Sequence, residues 1–195
     1  MTYTEISENT ILDWLKQNLN EHRYKHSLGC AHCAEKLAKK FNLDEKKAYL
    51  AGLLHDCAKN LEREKMLEMV SLIPDVDQCE IDNPKTLHAP ISAYLAKEEF
   101  KVNDEEILSS IRWHTLGKAD MSVFEKIIFL ADKIEPHTRD LKYREMVLSL
   151  LEEENGLDKA ILICYKSTIQ SLLNRNLGIC QATIDIYNKL LQRLQ

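Results

Sequence analysis

Apolar residues recur along the chain at the three- and four-residue spacing of an α-helix. Ile11, Leu15 and Leu19 mark one such stripe, and Ile127 to Ile134 is apolar enough to be a buried helix. We find no strand-like alternation of useful length. The pattern predicts an all-α fold of about ten helices, near residues 5–19, 23–41, 44–58, 62–72, 89–99, 103–113, 121–134, 139–152, 157–174 and 179–193.

Breaks in the helical pattern are few and short. Asp44 is a good N-cap for the third helix, and Pro90 suits the first turn of the fifth. The longest irregular stretch is predicted at Ile73 to Leu87. Without a repeat, a low-complexity tract or a linker, residues 1–195 are predicted to form a single compact domain, a size that supports one hydrophobic core.

Composition narrows the class of protein and of partner. The 195-residue chain has 45% hydrophobic and 29% charged residues and a net charge of −5, which disfavours nucleic acid as a partner. A signal peptide and an apolar run of about 18–20 residues are both missing, which predicts a cytoplasmic protein without a membrane partner. The six cysteines are then expected to be reduced thiols, with disulfides as the alternative.

Several residues that can bind metals stand in or beside apolar segments. In "AGLLHDCAKN" an apolar run leads straight into His55 and Asp56, and Asp132 follows "IIFLA". A buried carboxylate is costly unless it is paired or coordinates a metal. Any one of these histidines could instead be a core residue that is satisfied by hydrogen bonds. Several histidines and two buried carboxylates in one small domain, however, predict a shared compensating charge. The candidate ligands are His26, His55, Asp56, His88, His114 and Asp132.

Six ligands exceed one tetrahedral site and suit two divalent metals about 3.5–4 Å apart, with Asp56 as the natural bridge. Imidazole and carboxylate together suit manganese, iron, zinc or cobalt. Such a pair would turn a shared water into hydroxide at neutral pH and would clamp a phosphoryl group. The sequence therefore predicts a metal-dependent phosphohydrolase.

Cationic and hydroxyl residues near these ligands are candidates for phosphate contacts. Lys59, four residues after His55, is expected on the same helix face and is the candidate catalytic partner of Asp56. The alternative interpretation of each candidate is an ordinary exposed surface residue. The substrate-binding candidates are Arg23, Lys59, Thr115, Lys118 and Arg139.

Other chemistries find less support. Cys30 and Cys33 form a CxxC motif, but their helical spacing on an apolar face favours core packing over a redox or zinc site. No GxxxxGK[ST], GxGxxG or nucleophile elbow occurs. His22 is expected on the surface or behind the ligands, and His137 is expected to face solvent or substrate.

Several longer segments of the sequence resemble those of a known protein family. "LLHDCAK", "LHAPISAYL" and "RWHTLGKADMSVFEKIIFLADKIEP" resemble the YqeK family, a bacterial branch of the HD superfamily of metal-dependent phosphohydrolases, over residues 10 to the end. The resemblance implies an all-α HD domain and a symmetrical bis(5′-nucleosyl)-tetraphosphatase that cuts diadenosine tetraphosphate into two ADP. It also implies a di-iron or similar centre, with manganese or cobalt as alternatives to iron.

The resemblance also implies residue roles. His26, His55, Asp56 and Asp132 would hold one metal. Asp56, His88 and His114 would hold the other. Lys59, Thr115, Lys118 and Arg139 would lie beside phosphate. The family often has Gly or Asn directly before this arginine, whereas His137 and Thr138 precede Arg139 here.

The expected partner is therefore a small nucleotide, and a homodimer is possible. Three rival hypotheses stay open: an HD phosphohydrolase for a mononucleotide, deoxynucleoside triphosphate or alarmone; a nucleotide sensor without catalysis; and a helical interaction protein whose histidines are core residues. The complete set of six ligands argues against the sensor.

Overall fold

Eleven helices and no β-strand make up residues 3–195, the part of the chain that this computed structural model describes, apart from the side chain of Pro84. The all-α prediction is confirmed. The helices are α1 (Glu8–Asn18), α2 (Glu21–Lys40), α3 (Glu45–Leu54), α4 (Arg63–Val70), α5 (Gln78–Ile81), α6 (Pro84–Glu98), α7 (Glu105–Trp113), α8 (Val123–Ile134), α9 (Leu141–Leu150), α10 (Gly156–Asn174) and α11 (Gln181–Arg193).

Side-chain caps fix where several helices begin. The Asp44 carboxylate accepts a hydrogen bond from the backbone N–H of Lys47 at 2.9 Å, which confirms the predicted cap of α3. At α8, Ser122 accepts from the N–H of Glu125 while Glu125 accepts from the N–H of Ser122. Each cap satisfies backbone donors that the first helical turn leaves free.

The stretch predicted to be irregular, residues 73–87, instead holds α5 and the start of α6. Asp77 and Glu80 form a capping box for α5, and Asn83 caps α6, with Pro84 at its first position. Proline is tolerated there because the first helical N–H groups have no partner within the helix. Pro90 therefore lies inside α6 rather than in its first turn, and His88 is a helical residue.

The third helix is shorter than predicted, because it ends at Leu54 rather than near residue 58. The chain continues in tight turns, in which the N–H of Cys57 donates to the Leu54 carbonyl and that of Lys59 to the Asp56 carbonyl. The Ser92 hydroxyl on α6 accepts a hydrogen bond from the N–H of Ala58 at 3.1 Å. This turn brings His55 and Asp56 to the middle of the molecule.

The core lies between α2, α3, α6, α7 and α8. α2 packs against α3 and α8, and α7 packs against α3, α6 and α8. Leu53, Ile111 and Ile127 are fully buried between them. At Gly52 a Cβ atom would lie 2.8 Å from Cα of Ala31, so glycine allows the close approach of α3 to α2. A second layer forms where α10 packs against α8, α9 and α11.

The cysteines divide into two kinds. Cys79 and Cys180 form a disulfide with their Cα atoms 5.9 Å apart, so the prediction of six reduced thiols is wrong for this pair. Their 101-residue separation hides the pairing from any local pattern. Cys30, Cys33, Cys57 and Cys164 are free thiols. Cys30 is fully buried and Cys33 packs against the same core, which confirms the core interpretation of the CxxC motif.

Among residues 3–195, none of the helices has both the length and the apolar composition required to span a membrane.

Candidate metal centre

The six predicted metal ligands come together in the interior, where five core segments supply them from their ends or inner faces. Every one is buried, and even Asp132, the most accessible, is only 7% exposed. They are His26 on α2, His55 and Asp56 in the turn after α3, His88 on α6, His114 at the C-cap of α7 and Asp132 on α8.

Asp56 lies between two pairs of histidines. Its Oδ2 atom is 3.7 Å from Nε2 of His26 and 3.8 Å from Nε2 of His55. Its Oδ1 atom is 2.9 Å from Nε2 of His88 and 3.5 Å from Nε2 of His114. The two sets, His26–His55–Asp56 and Asp56–His88–His114, each converge as a metal site would, and Asp56 belongs to both.

Asp132 adds a second carboxylate to only one of these sets. Its Oδ1 atom lies 3.0 Å from Nε2 of His26 and 3.8 Å from Nε2 of His55. We call His26, His55, Asp56 and Asp132 the first ligand group, and Asp56, His88 and His114 the second. The first group holds two carboxylates and the second one.

The imidazole rings are held from behind. The Nδ1 atoms of His55 and His114 donate to the carbonyls of Gly52 and Ile111, both at 2.7 Å. Because a carbonyl only accepts, Nδ1 carries the proton and Nε2 is left free toward the centre of the site. Such contacts orient ligands before a metal binds.

His26 is oriented instead by a buried carboxylate that sequence reasoning did not single out. Its Nδ1 atom lies 3.1 Å from Oε1 of Glu135. Oε1 and Oε2 of Glu135 also accept hydrogen bonds from the backbone N–H groups of Thr138 and His137 at 2.9 and 2.7 Å. A Cβ at Gly29 would collide with this carboxylate. The available signal was a carboxylate directly after the apolar α8.

Burial and charge act in opposite directions on these groups. Burial alone would raise the pKa of Asp56, but the histidines and Lys59 around it hold that pKa well below its usual range. Burial lowers the pKa of His88 to about 3 and also lowers that of His114, despite the attraction of Asp56. The second group therefore presents an ionised carboxylate and two neutral imidazoles, the protonation states in which both bind metals.

The first group differs. Burial acts to lower the pKa of His26, but hydrogen bonds to Asp132 and Glu135 raise it to about 9. Burial acts to raise the pKa of Asp132, yet Lys133 and the two histidines hold it well below its usual range. The carboxylates of this group thus favour a positive charge beside them.

One atom tests whether the residues fit a metal pair. Oδ1 of Asp56 is buried and accepts no hydrogen bond of acceptable geometry from any residue between 3 and 195. An ionised oxygen in that state is costly, and a cation is the partner that the neighbouring imidazole nitrogens can share with it. The donor set therefore fits two divalent cations bridged by Asp56.

Most of the predicted phosphate-binding candidates lie beside the ligands. Nζ of Lys59 is 3.4 Å from Oδ1 of Asp56 and 2.8 Å from Nε2 of His88, although a turn rather than a helix brings it there. The guanidinium of Arg23 is 3.3 Å from Oδ2 of Asp56. The hydroxyl of Thr115 is 2.9 Å from Nε2 of His114.

The remaining candidates have different surroundings. Arg139 contacts Asp132 although His137 and Thr138 stand where the family often has Gly or Asn. Its guanidinium donates hydrogen bonds to the backbone carbonyl of Asp132 at 2.9 Å and to Oδ1 of Asp132 at 3.0 Å. The ammonium of Lys118 instead pairs with Glu125 at 2.6 Å. His22 and His137 are exposed. Lys133, which the sequence did not suggest, pairs with Oδ2 of Asp132 at 2.6 Å.

Comparison with known proteins covers the whole site. The family model described as HD domain matches residues 23–137, a span from Arg23 to His137 that includes all six ligands. A symmetrical bis(5′-nucleosyl)-tetraphosphatase from Halalkalibacterium halodurans is 38% identical over 180 residues, 92% of this chain and 95% of that protein. A symmetrical bis(5′-nucleosyl)-tetraphosphatase from Bacillus subtilis is 37% identical over 174 residues, 89% of this chain and 92% of that protein.

A solved structure shares the fold. The crystal structure of a Clostridium acetobutylicum protein, described as a predicted HD superfamily hydrolase involved in NAD metabolism, has a TM-score of 0.89 and 38% sequence identity. The match covers 96% of this chain and 98% of that one. At this coverage, the layer formed by α9 to α11 is part of the shared architecture.

Proposed function

The chain belongs to the HD-domain family and, within it, to the symmetrical bis(5′-nucleosyl)-tetraphosphatases, and we propose that it hydrolyses diadenosine tetraphosphate into two molecules of ADP. The observation that carries the proposal is the position of Asp56 between two converging ligand sets. A helical interaction protein has no need of an ionised, bridging carboxylate in its core.

The proposed cofactor is a pair of divalent transition metals, iron first and manganese or cobalt next. His26, His55, Asp56 and Asp132 would hold one ion, and Asp56, His88 and His114 the other. Such a pair, when bound, supplies a water of lowered pKa as hydroxide nucleophile and offsets the charge on a phosphoryl group.

The chain's own residues then position the phosphates. Lys59 and Arg23 flank Asp56 from the more accessible side, where their charges attract a polyphosphate and hold it against the ligands. The Thr115 hydroxyl beside His114 can donate to a phosphate oxygen. The leaving group is a nucleoside diphosphate, which departs readily as an anion, so the mechanism assigns no general acid.

Product analysis tests the proposal. Protein loaded with iron or manganese is incubated with diadenosine tetraphosphate, and the nucleotides are separated by anion-exchange chromatography. We expect ADP as the sole product. AMP with ATP would overturn the symmetrical cleavage.

The same assay separates the rival substrates. We expect slower turnover of deoxynucleoside triphosphates and alarmones than of diadenosine tetraphosphate. Absence of any product, with two metals per chain confirmed by elemental analysis, would overturn the proposed substrate class.

A further inference from the structure

A cleft of about 360 Å³ lies beside the metal centre, between α8, α9 and α10. One face of α10 forms the long wall of the cleft. The cleft-lining residues of α10 recur at helical spacing, and they are Cys164, Ser167, Thr168, Ser171, Leu172 and Arg175. At 1.5 Å per residue this face is roughly 16 Å long. Lys133, Arg139 and Tyr143 line the opposite side.

The inner end of the cleft touches the first ligand group. Lys133 and Arg139, which both line the cleft, contact Asp132 at 2.6 and 3.0 Å. Tyr143, also in the lining, contacts Cys164 at 3.3 Å, which places the start of the α10 face at this end. Arg175, at the C-cap of α10, marks the other end.

The charges of the cleft suit an anion. Lys133 and Arg139 share the single carboxylate of Asp132, whose charge a metal ion would share as well. Arg175 has no carboxylate within 4.0 Å anywhere in residues 3–195. The only acidic residue in the lining, Asp140, already caps α9 by accepting from the N–H of Tyr143.

The middle and the outer end of the lining suit a sugar and a base. Ser167 and Thr168 present exposed hydroxyls along the middle of the α10 face. The guanidinium of Arg175 is planar and can stack on an aromatic base. The volume lies at the lower end of the range for small-molecule sites, which suits one nucleotide rather than two.

We propose that this cleft binds one nucleoside diphosphate half of the substrate. Its phosphates lie at Lys133 and Arg139, its ribose at Ser167 and Thr168, and its base on Arg175. When one nucleoside diphosphate half of the substrate fills the cleft, its length fixes which phosphorus lies at the metal ligands. The cleft thereby determines which phosphate linkage is cleaved. The inference rests on the proposed function and extends it.

Arg175→Ala and Thr168→Ala test the assignment, because both side chains are exposed and lie outside the metal ligands. The matched control is Lys166→Ala, which removes one positive charge from an exposed position of the same helix outside the cleft. The probe is ADP, titrated into metal-loaded protein by isothermal titration calorimetry. KM and kcat for diadenosine tetraphosphate and turnover of bis(p-nitrophenyl) phosphate are measured alongside.

We expect Arg175→Ala to weaken ADP binding about tenfold and to raise KM by a similar factor with kcat little changed. Thr168→Ala should lose about threefold to fivefold in ADP affinity. Lys166→Ala should match the wild type in ADP affinity and in the turnover of both substrates.

ADP affinities equal to wild type in both cleft variants would overturn the inference. The proposed function fails by a different result, namely a wild-type protein that binds ADP but leaves diadenosine tetraphosphate uncut. Loss of ADP binding on Arg175→Ala would in that case still assign the cleft as a nucleotide site.

Discussion

The two ligand groups share Asp56 but are built differently. The first has a second carboxylate, Asp132, and orients His26 through a third, Glu135. The second has no carboxylate but Asp56 among the described residues that converge there, and its histidines are held neutral by burial. Since carboxylates contribute charge as well as a lone pair, the first group should bind a divalent cation more tightly than the second.

The largest effect is expected at the residue that the two groups share. Asp56→Asn keeps the size of the side chain but removes the charge and the bridge. We expect both metals to be lost and kcat/KM to fall by about a thousandfold or more. Elemental analysis and turnover measure the two effects. Asp120→Asn, an exposed carboxylate, serves as control. Two retained metals with substantial activity in Asp56→Asn would break the bridging assignment.

His88→Ala separates the groups. It leaves the four ligands of the first group intact but reduces the second to Asp56 and His114. We expect one metal per chain to remain and activity to fall by about a hundredfold. Metal stoichiometry by elemental analysis reports the result. If both ions are lost together, the groups do not bind independently and the comparison fails.

Glu135→Gln tests whether the carboxylate that contacts His26 contributes to metal binding by the first group alone. The amide keeps the shape but weakens the charge-assisted contact with Nδ1 of His26. We expect metal affinity at the first group to fall by about tenfold to a hundredfold, with the second group unchanged. Competition with a chelator measures both affinities. Glu99→Gln, at an exposed position, is the control, and an equal loss at both groups would contradict a local role.

The smallest effect is expected for Thr115→Val. The hydroxyl lies 2.9 Å from Nε2 of His114 but belongs to neither ligand group. Loss of one hydrogen bond to a phosphate oxygen should lower kcat/KM by about fivefold, with two metals still bound. Steady-state kinetics and elemental analysis check this. A missing metal in Thr115→Val would make the hydroxyl a ligand of the second group.

The candidate ligands stand out in the sequence because the free-energy cost of burying a charged group is local. Asp56 and Asp132 each follow an apolar run, and a charge in such a place needs a partner wherever the rest of the chain lies. The helical pattern likewise predicted the core helices, since it depends on neighbours three and four residues away. It misplaced the ends of α3 and α6, because side-chain caps and turns around the site decide those ends.

The roles of other residues depend on distant partners, so a local signal alone does not assign those roles. Glu135 resembles any polar residue at a helix end until His26, 109 residues away, approaches it. Lys118 follows a ligand in sequence, yet its charge is satisfied by Glu125.

The sequence by itself thus determined the helical fold class and the residues able to bind metal, because helical periodicity and the cost of a buried charge are local properties. The tertiary structure decided which ligands face which oxygen of Asp56, that Cys79 meets Cys180, and that α10 lines a cleft beside Asp132. These depend on distances between segments far apart in the chain, which only the packing of the helices fixes.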